Sequence, residues 1–227
     1  NYHEKGYLHI LIHPEMLPND EGYAISTDRD GIIVTANAPV GAFYALQTMR
    51  QMVEGGDWQT GIIADYPRFE YRGVLVDISR HFRTLDFLKR QIDMMARVKL
   101  NRLHLHLTDA AGWRLQIDSY PRLTSYAAWR TPHDWKGWWY GDRTFLDEGT
   151  EGASGGYLTK EEARELVKYA ADRYITIIPE IEMPGHSDEV LAAYPELRCS
   201  HMPERQGDLC IGKEATFEMM QAILDEV

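Results

Sequence analysis

The fold is decided by the stretch Gly73-Val74-Leu75-Val76-Asp77-Ile78, an apolar run of the kind that parallel sheets bury on both faces. A helix is predicted after it, because Thr84 is a good N-cap and apolar residues recur behind it at helical spacing. These residues are Leu85, Leu88, Ile92, Met95 and Val98. Further apolar runs predict strands at 101–108 and 175–180. Strands that alternate with helices favour a parallel sheet with right-handed crossovers, closed as a barrel or left open.

The helix before the third strand carries the clearest start signal in the chain. Thr159 and Glu162 have the spacing of a capping box, and a last helix is predicted at about 214–227. About three βα units are therefore present, whereas a complete (β/α)₈ barrel takes eight units and roughly 250 residues.

The first third of the chain predicts a small sheet and one helix. Strands are expected at 7–13, 23–28 and 32–36, and Asp30-Gly31 supplies a tight turn, so we expect an antiparallel sheet. From Pro39 the apolar period changes to that of a helix, which should end at Gly55-Gly56.

Composition excludes several classes of protein. The 227 residues are 44% hydrophobic and 26% charged, and no apolar run approaches the roughly 18 residues that a membrane span requires. The 24 Lys and Arg against 35 Asp and Glu give a formal charge of -11, which repels phosphate backbones, so no nucleic acid partner is expected. Two cysteines, Cys199 and Cys210, are too few for a disulfide framework and lack zinc-site spacing, and the sequence leaves their pairing open.

Polar residues follow each of the three predicted parallel strands. Ligands of such folds bind beyond the carboxyl ends of the strands, so three polar ends in succession predict a site there. The residues offered are Asp77, Arg80 and His81 at the first end, His104, His106 and Asp109 at the second, and Glu180, Glu182 and His186 at the third.

Two ligand classes fit these residues. His104 and His106 are two apart on a strand and share a face, which is the geometry of a metal-binding pair, or alternatively of residues that line a barrel interior. Acids, an arginine and tryptophans suit a hydroxyl-rich ligand. The stretch 109–158, far longer than an ordinary loop, holds five of the six tryptophans, which either contact such a ligand or pack the loop.

A family resemblance rests on four blocks of the sequence. They are Arg72-Gly73-Val74-Leu75-Val76-Asp77-Ile78-Ser79-Arg80-His81-Phe82, Lys99-Leu100-Asn101-Arg102-Leu103-His104-Leu105-His106-Leu107-Thr108-Asp109, Gly112-Trp113-Arg114 and Ile178-Pro179-Glu180-Ile181-Glu182-Met183-Pro184-Gly185-His186. Together they closely resemble the β-N-acetylhexosaminidases of glycoside hydrolase family 20. The resemblance implies an α/β fold: the first part of a (β/α)₈ TIM barrel at 66–227, preceded by the end of a small α/β sheet domain at 1–65.

The resemblance also implies roles for single residues. Arg80 corresponds to the arginine that hydrogen-bonds the terminal sugar on its O3 and O4 side. Asp109 and His186 correspond to a polar pair near the catalytic acid, and all three are expected to bind substrate. Ala110 departs from the family, which commonly has a second Asp there. Supporting roles are expected for Glu180, Glu182 and Trp113.

The family's catalytic motif, His-x-Gly-Gly-Asp-Glu, does not occur in the 227 residues, so the acid Glu and the orienting Asp are expected beyond Val227. The resemblance implies retaining, substrate-assisted hydrolysis of terminal β-GlcNAc or β-GalNAc from glycans by the complete enzyme, without metal or cofactor. We expect an exported protein (periplasmic, extracellular or lysosomal-type), an inactive fragment, and self-association through an open barrel edge. The alternatives are a metal-dependent barrel hydrolase that uses His104 and His106, and a non-catalytic carbohydrate-binding module.

Overall fold

The architecture comes from a computed structural model that describes residues 6–56, 60–132, 134–201 and 207–227. Contacts divide the chain into two compact units. The first unit comprises 1–73, 92–101 and 173–175, and the second comprises 74–91, 102–172 and 176–227.

The first unit is built on a four-stranded sheet. Its strands are β1 (Tyr7–Ile12), β2 (Tyr23–Thr27), β3 (Gly31–Ala36) and β4 (Gly61–Asp65), in the order β1-β3-β2-β4. The helix α1 (Pro39–Gly55) follows β3 and ends, as predicted, at a glycine: Gly56 has φ 74°, a left-handed conformation that glycine adopts at no steric cost. Tyr23, Ile25 and Val34 of the sheet and Tyr44 and Ala45 of α1 form the core of this unit.

Two features of this sheet differ from the prediction. β2 runs antiparallel to β3 and β4, but β1 pairs with β3 in parallel, so the expectation of an antiparallel sheet was wrong for β1. β4 was not predicted at all. Alternating polarity reveals that a segment is a strand but says nothing about its direction, which depends on a partner distant in sequence.

The remaining elements belong to the second unit, except for Gly73 and residues 92–97. They are β5 (Gly73–Asp77), α2 (Leu85–Arg97), β6 (Arg102–His106), β7 (Thr108–Asp109), β8 (Gly112–Trp113), α3 (Arg122–Ser125), β9 (Trp129–Arg130), α4 (Trp135–Tyr140), β10 (Ser154–Gly155), α5 (Lys160–Ala171), β11 (Thr176–Glu180), α6 (Asp188–Ala193), a 3₁₀ turn (Pro195–Leu197) and α7 (Glu214–Glu226). The unit division falls within α2 and at the first residue of β5.

A three-stranded sheet in the order β11-β6-β5 places the predicted strand ends side by side. β11 and β6 are parallel and in register, with Glu180 opposite His106 and Ile178 opposite His104. Val74 and Leu75 of β5 are exposed, because the part of the chain that the structure describes supplies no strand beyond this edge. The apolar run that was expected to be buried on both faces is thus an outer strand.

The predicted helix signals are found where the sequence placed them. The Thr159 side chain accepts a hydrogen bond from the Glu162 backbone N–H, and the Glu162 carboxylate accepts one in return from the Thr159 backbone N–H, which completes the capping box of α5. Thr84 Oγ1 accepts from the backbone N–H of Phe87 at the start of α2, 3.4 Å away. No helix within the described ranges combines the length and apolar character needed to traverse a bilayer.

The long stretch 109–158 is structured. β7 and β8 form an antiparallel pair, β9 pairs antiparallel with β10, and α3 and α4 lie on either side of β9 in sequence. Trp138, Ala111 and Phe145 form a small core of this region, so at least part of its tryptophan content serves packing.

Candidate sugar site at the strand ends

The buried carboxylate of Asp109 joins the other two predicted substrate-binding residues, Arg80 and His186. Asp109, 2% exposed in its side chain, pairs with Arg80 Nη2 at 2.5 Å and with His186 Nδ1 at 3.2 Å. It also accepts from the backbone N–H of Ala110 at 2.7 Å, and its Oδ2 lies 3.1 Å from His106 Nε2. The structure therefore brings Arg80, Asp109 and His186 together, with Asp109 as the hub.

The electrostatics keep this hub ionised. Burial alone would raise the pKa of Asp109, but the hydrogen bond from His106 and the charges of Arg80 and His186 outweigh burial and lower the pKa. In His106 the hydrogen bond to Asp109, with a further one to Glu180, raises the pKa to about 9 against the opposing effect of burial. The raised pKa favours the protonated imidazole, whose Nε2 lies 3.1 Å from Asp109 Oδ2 and 3.0 Å from Arg80 Nη1 and whose Nδ1 lies 2.5 Å from Glu180 Oε2.

The end of β5 fixes the backbone that carries Arg80. Asp77 Oδ1 accepts from the backbone N–H groups of Ser79, at 2.9 Å, and of Arg80, at 3.1 Å, while Asp77 Oδ2 pairs with Arg80 Nη1 at 2.9 Å. The Arg80 carbonyl accepts from Arg130 Nη2 at 2.7 Å. Arg80 keeps 29% of its side chain exposed, and these ion pairs occupy only part of its five N–H donors, so it is available to a ligand.

The Glu180 carboxylate contacts both histidines of β6, His104 and His106. Its Oε2 lies 2.7 Å from His104 Nε2 and 2.5 Å from His106 Nδ1, so one carboxylate at the end of β11 holds both rings of β6. Burial opposes ionisation of Glu180, but the hydrogen bonds and charges of the two histidines lower its pKa. The two imidazoles therefore point at an acid of the neighbouring strand.

One group of side chains in the described ranges has metal-ligand geometry. Ligand atoms of His106, Asp109 and Glu182 lie within 4.8 Å of one another. His104, which the metal-dependent alternative required, is not among them. Asp109 is already paired with Arg80, and a cation would have to compete with that guanidinium. The site thus fits a metal ion poorly.

The turn that carries His186 is held by a disulfide-closed segment. Cys199 and Cys210 are bonded, which settles the pairing that the sequence left open. The backbone N–H of Ser187 donates to the Gly207 carbonyl at 2.7 Å, and that of Leu209 donates to the Pro184 carbonyl at 2.8 Å. His186 itself has φ 53° and a side chain that is 60% exposed, so it presents its ring to solvent beside Asp109.

The supporting residues lie in different places. The Glu182 carboxylate lies beside His106 and Asp109, and its backbone N–H donates to Thr108 Oγ1 at 2.8 Å. Trp113 is fully buried, and its indole N–H donates to the Leu115 carbonyl at 2.6 Å. Its ring is a packing element beneath the site and has no face open to a sugar.

Three features of the site were not singled out from the sequence. Arg114 is buried, and its guanidinium donates to backbone carbonyls around the strand ends. Glu189 is buried, neither of its carboxylate oxygens has a hydrogen-bond partner among the described residues, and burial raises its pKa well above the usual range. Trp135 lies against Arg80, with the Arg80 Cζ 5.7 Å from its ring centroid. Arg114 had a signal as the last letter of the Gly-Trp-Arg block, and Trp135 was one of the tryptophans of 109–158 expected either to contact a ligand or to pack the loop.

Two family models match this chain. The model of the glycosyl hydrolase family 20 catalytic domain matches residues 69–227, and that of glycosyl hydrolase family 20, domain 2, matches residues 3–66. The chain belongs to glycosyl hydrolase family 20. The predicted family and its glycoside hydrolase class are confirmed by these matches.

Relatives and solved structures agree with this membership. A beta-hexosaminidase of Porphyromonas gingivalis is 38% identical over 227 residues, covering 92% of this chain and 27% of that protein. The family 20 beta-N-acetylhexosaminidase of Streptomyces coelicolor superposes with a TM-score of 0.79 at 36% identity, over 99% of this chain and 45% of that one. An exo beta-N-acetylglucosaminidase of Vibrio harveyi, solved with N-acetylglucosamine, gives a TM-score of 0.80 at 29% identity, over 96% and 35%.

The family 20 structures confirm the predicted fold class, the first part of a (β/α)₈ barrel preceded by a small α/β sheet domain. The chain spans only 27%, 31% and 36% of the length of three curated relatives that it matches.

Proposed function

We propose that this chain is the amino-terminal portion of a β-N-acetylhexosaminidase that removes terminal β-linked GlcNAc or GalNAc from glycans. The observation that supports this most is the Asp109 hub, in which a buried carboxylate joins a partly exposed arginine and a partly exposed histidine in a family 20 chain. We place the boundary of the small domain at 65 and the first βα units of the barrel at 66–227.

In this proposal each of the three binding residues, Arg80, Asp109 and His186, has a separate role. The Arg80 guanidinium donates its remaining N–H groups to hydroxyls on the O3 and O4 side of the terminal sugar. Asp109 fixes the guanidinium, and it accepts from His186 Nδ1, which sets the orientation of the imidazole. His186 then lies beside the leaving-group side of the sugar, where a histidine held by a carboxylate adjusts the proton affinity of a neighbouring acid.

The chemical step in the complete enzyme is substrate-assisted. The 2-acetamido carbonyl oxygen attacks the anomeric carbon, an Asp orients the acetamido group, and a Glu protonates the departing glycosidic oxygen, with retention of configuration. We assign both acids to chain beyond Val227. Neither a metal nor another cofactor takes part.

Compartment and assembly complete the proposal. We propose an exported protein, which the Cys199–Cys210 disulfide supports because such bonds persist in oxidising compartments. We also propose that the isolated 227-residue chain self-associates through the open β5 edge, where Val74 and Leu75 are exposed. A cooperative, compact monomer at high concentration by light scattering and thermal denaturation would contradict that part.

A paired assay tests the function. The chain as given and the protein expressed from the complete reading frame are each incubated with a chromogenic β-GlcNAc glycoside. The complete protein should turn the substrate over, and the chain alone should remain near background, since loss of a general acid costs about 10²- to 10⁴-fold. The α-linked glycoside is the control and should not be cleaved. Robust turnover by the chain alone would show that the catalytic residues are misassigned.

A further inference from the structure

A pair of partly exposed tryptophans borders the strand-end site and has no role in the function proposed above. Trp135 and Trp139 lie on α4, the short helix of the 109–158 stretch, with ring centroids 5.0 Å apart. We call these two rings the aromatic wall. Asp134 caps the helix by accepting from the backbone N–H of Gly137 at 2.7 Å.

The aromatic wall is held between two arginines. The Arg80 Cζ lies 5.7 Å from the Trp135 ring centroid, and the Arg143 Cζ lies 3.5 Å from that of Trp139. Arg143 Nη1 in turn pairs with Asp188, two residues after His186, at 3.2 Å. The wall therefore extends from the arginine of the first strand end to the segment that follows the third.

Packing alone does not explain the aromatic wall. The tryptophans of this region that serve packing are fully buried and hydrogen-bonded: Trp113 donates to Leu115, and Trp138 donates to the Thr144 carbonyl at 3.2 Å. Trp135 and Trp139 pack against the small core of Ala111, Trp138 and Phe145, but each keeps part of its ring accessible. Indole rings beside hydrogen-bonding charged groups are suited to a ligand with both apolar C–H faces and hydroxyls, which is a pyranose sugar.

We propose that Trp135 is a specificity-determining residue for the configuration at C4 of the terminal sugar. This inference rests on the proposed function, in which Arg80 binds the O3 and O4 side. The two candidate substrates differ at this position: O4 is equatorial in GlcNAc and axial in GalNAc. An equatorial O4 extends in the plane of the ring toward the guanidinium, whereas an axial O4 leaves that plane. In this inference the Trp135 indole, whose centroid lies 5.7 Å from the Arg80 Cζ, borders the side toward which an axial O4 would project, and it therefore favours GlcNAc.

The test compares two substrates in variants of the protein expressed from the complete reading frame. Values of kcat/KM for aryl β-GlcNAc and aryl β-GalNAc glycosides are measured for wild type, Trp135→Ala and Trp135→Phe. The alanine variant should shift the GlcNAc to GalNAc ratio toward GalNAc by about fivefold or more, and the phenylalanine variant, which keeps a ring of smaller size, by about twofold. Tyr140→Ala is the matched control, because Tyr140 lies on the same helix and is 82% exposed; its ratio should equal that of wild type.

The outcomes separate this inference from the function on which it depends. If wild type cleaves neither substrate, the proposed function fails and the inference fails with it. If wild type is active and Trp135→Ala loses the same factor on both substrates, Trp135 only positions Arg80 and the specificity role is wrong. If the GlcNAc to GalNAc ratio of kcat/KM is unchanged in both variants, the specificity role is also wrong. If the alanine variant does not fold by thermal denaturation, the ratio of the folded phenylalanine variant decides.

Discussion

Arg80 and Arg114 belong to the same strand-end region, yet their guanidinium groups have opposite surroundings. Arg80 pairs with two carboxylates, those of Asp77 and Asp109, and keeps 29% of its side chain exposed. Its charge is balanced by acids, and some of its donors remain available.

Arg114 is 1% exposed and bonds to backbone carbonyls. Its Nε and Nη2 donate to the Ser79 carbonyl at 3.1 and 2.7 Å, and its Nη1 donates to the carbonyls of Ala128 and Gly156 at 2.5 and 3.0 Å. These bonds hold the end of β5 to two points of the 109–158 stretch.

The comparison separates two uses of one residue type. A buried arginine whose donors are consumed by carbonyls fixes loops, and an accessible arginine oriented by carboxylates can bind a ligand. Sequence alone cannot distinguish the two, because exposure and the identity of the acceptors arise only from tertiary structure.

The largest expected effect is on stability. Arg114→Ala leaves several buried carbonyls without donors and should lower the free energy of unfolding by about 3–5 kcal/mol. Chemical denaturation of the variant and of wild type measures it. Arg164→Ala is the control, since Arg164 is exposed and its ion pair among the described residues is with an exposed neighbour on α5. A loss below about 1 kcal/mol would contradict the structural role of Arg114.

Arg80→Ala should show the reverse pattern. In the protein from the complete reading frame, kcat/KM for a β-GlcNAc glycoside should fall by about 10- to 100-fold, because charge-assisted hydrogen bonds to sugar hydroxyls are lost. The unfolding transition should remain cooperative. An unchanged kcat/KM would remove Arg80 from the site and would end the contrast with Arg114.

The free energy of unfolding as a function of pH tests the charge of His106, which lies beside Arg80. His106 has its pKa raised to about 9 from an ordinary value of 6.5, so its stabilising pairs are fully present below pH 6.5. They are lost as the pH rises through about 9, and the free energy of unfolding should decrease by about 1–2 kcal/mol over this interval. His106→Gln should abolish the decrease. A wild-type curve that is flat from pH 6.5 to 9.5 would show that His106 is not held as a cation.

Chelation should have the smallest effect. If Arg80 is the cation that Asp109 binds, EDTA should leave the activity of the complete protein within about twofold of the untreated protein, because the proposed reaction uses no metal. Loss of activity that zinc restores would instead favour the metal-dependent alternative and the set His106, Asp109 and Glu182.

The sequence predicted those elements whose signals are local. The capping box at Thr159 and the glycine that ends α1 depend on neighbours within four residues, and both are found. The meeting of Arg80, Asp109 and His186 followed from a general property of parallel strands, whose carboxyl ends share one edge.

What the sequence left out depends on distant partners. The parallel direction of β1 is set by its pairing with β3, and the burial of Trp113 and Arg114 is set by loops that fold over them. The sequence indicated the tryptophans of 109–158 as possible ligand contacts, but the four-residue spacing of Trp135 and Trp139 says nothing about which strand end they adjoin. Polarity and spacing carry no information about contacts between segments far apart in the chain.

The Cys199–Cys210 bond has a practical consequence for how the protein is made. It closes a ring with a sequence separation of 11, and in the chain-entropy model a loop of this length contributes about 3 kcal/mol by restricting the unfolded chain. Because the ring also anchors the turn that carries His186, protein produced in a reducing cytosol would lose this tether beside a residue of the proposed binding site. Protein from a reducing host and protein from an oxidising host therefore differ in how firmly the turn at His186 is held. Their sequences are identical, and their masses differ by only two hydrogens.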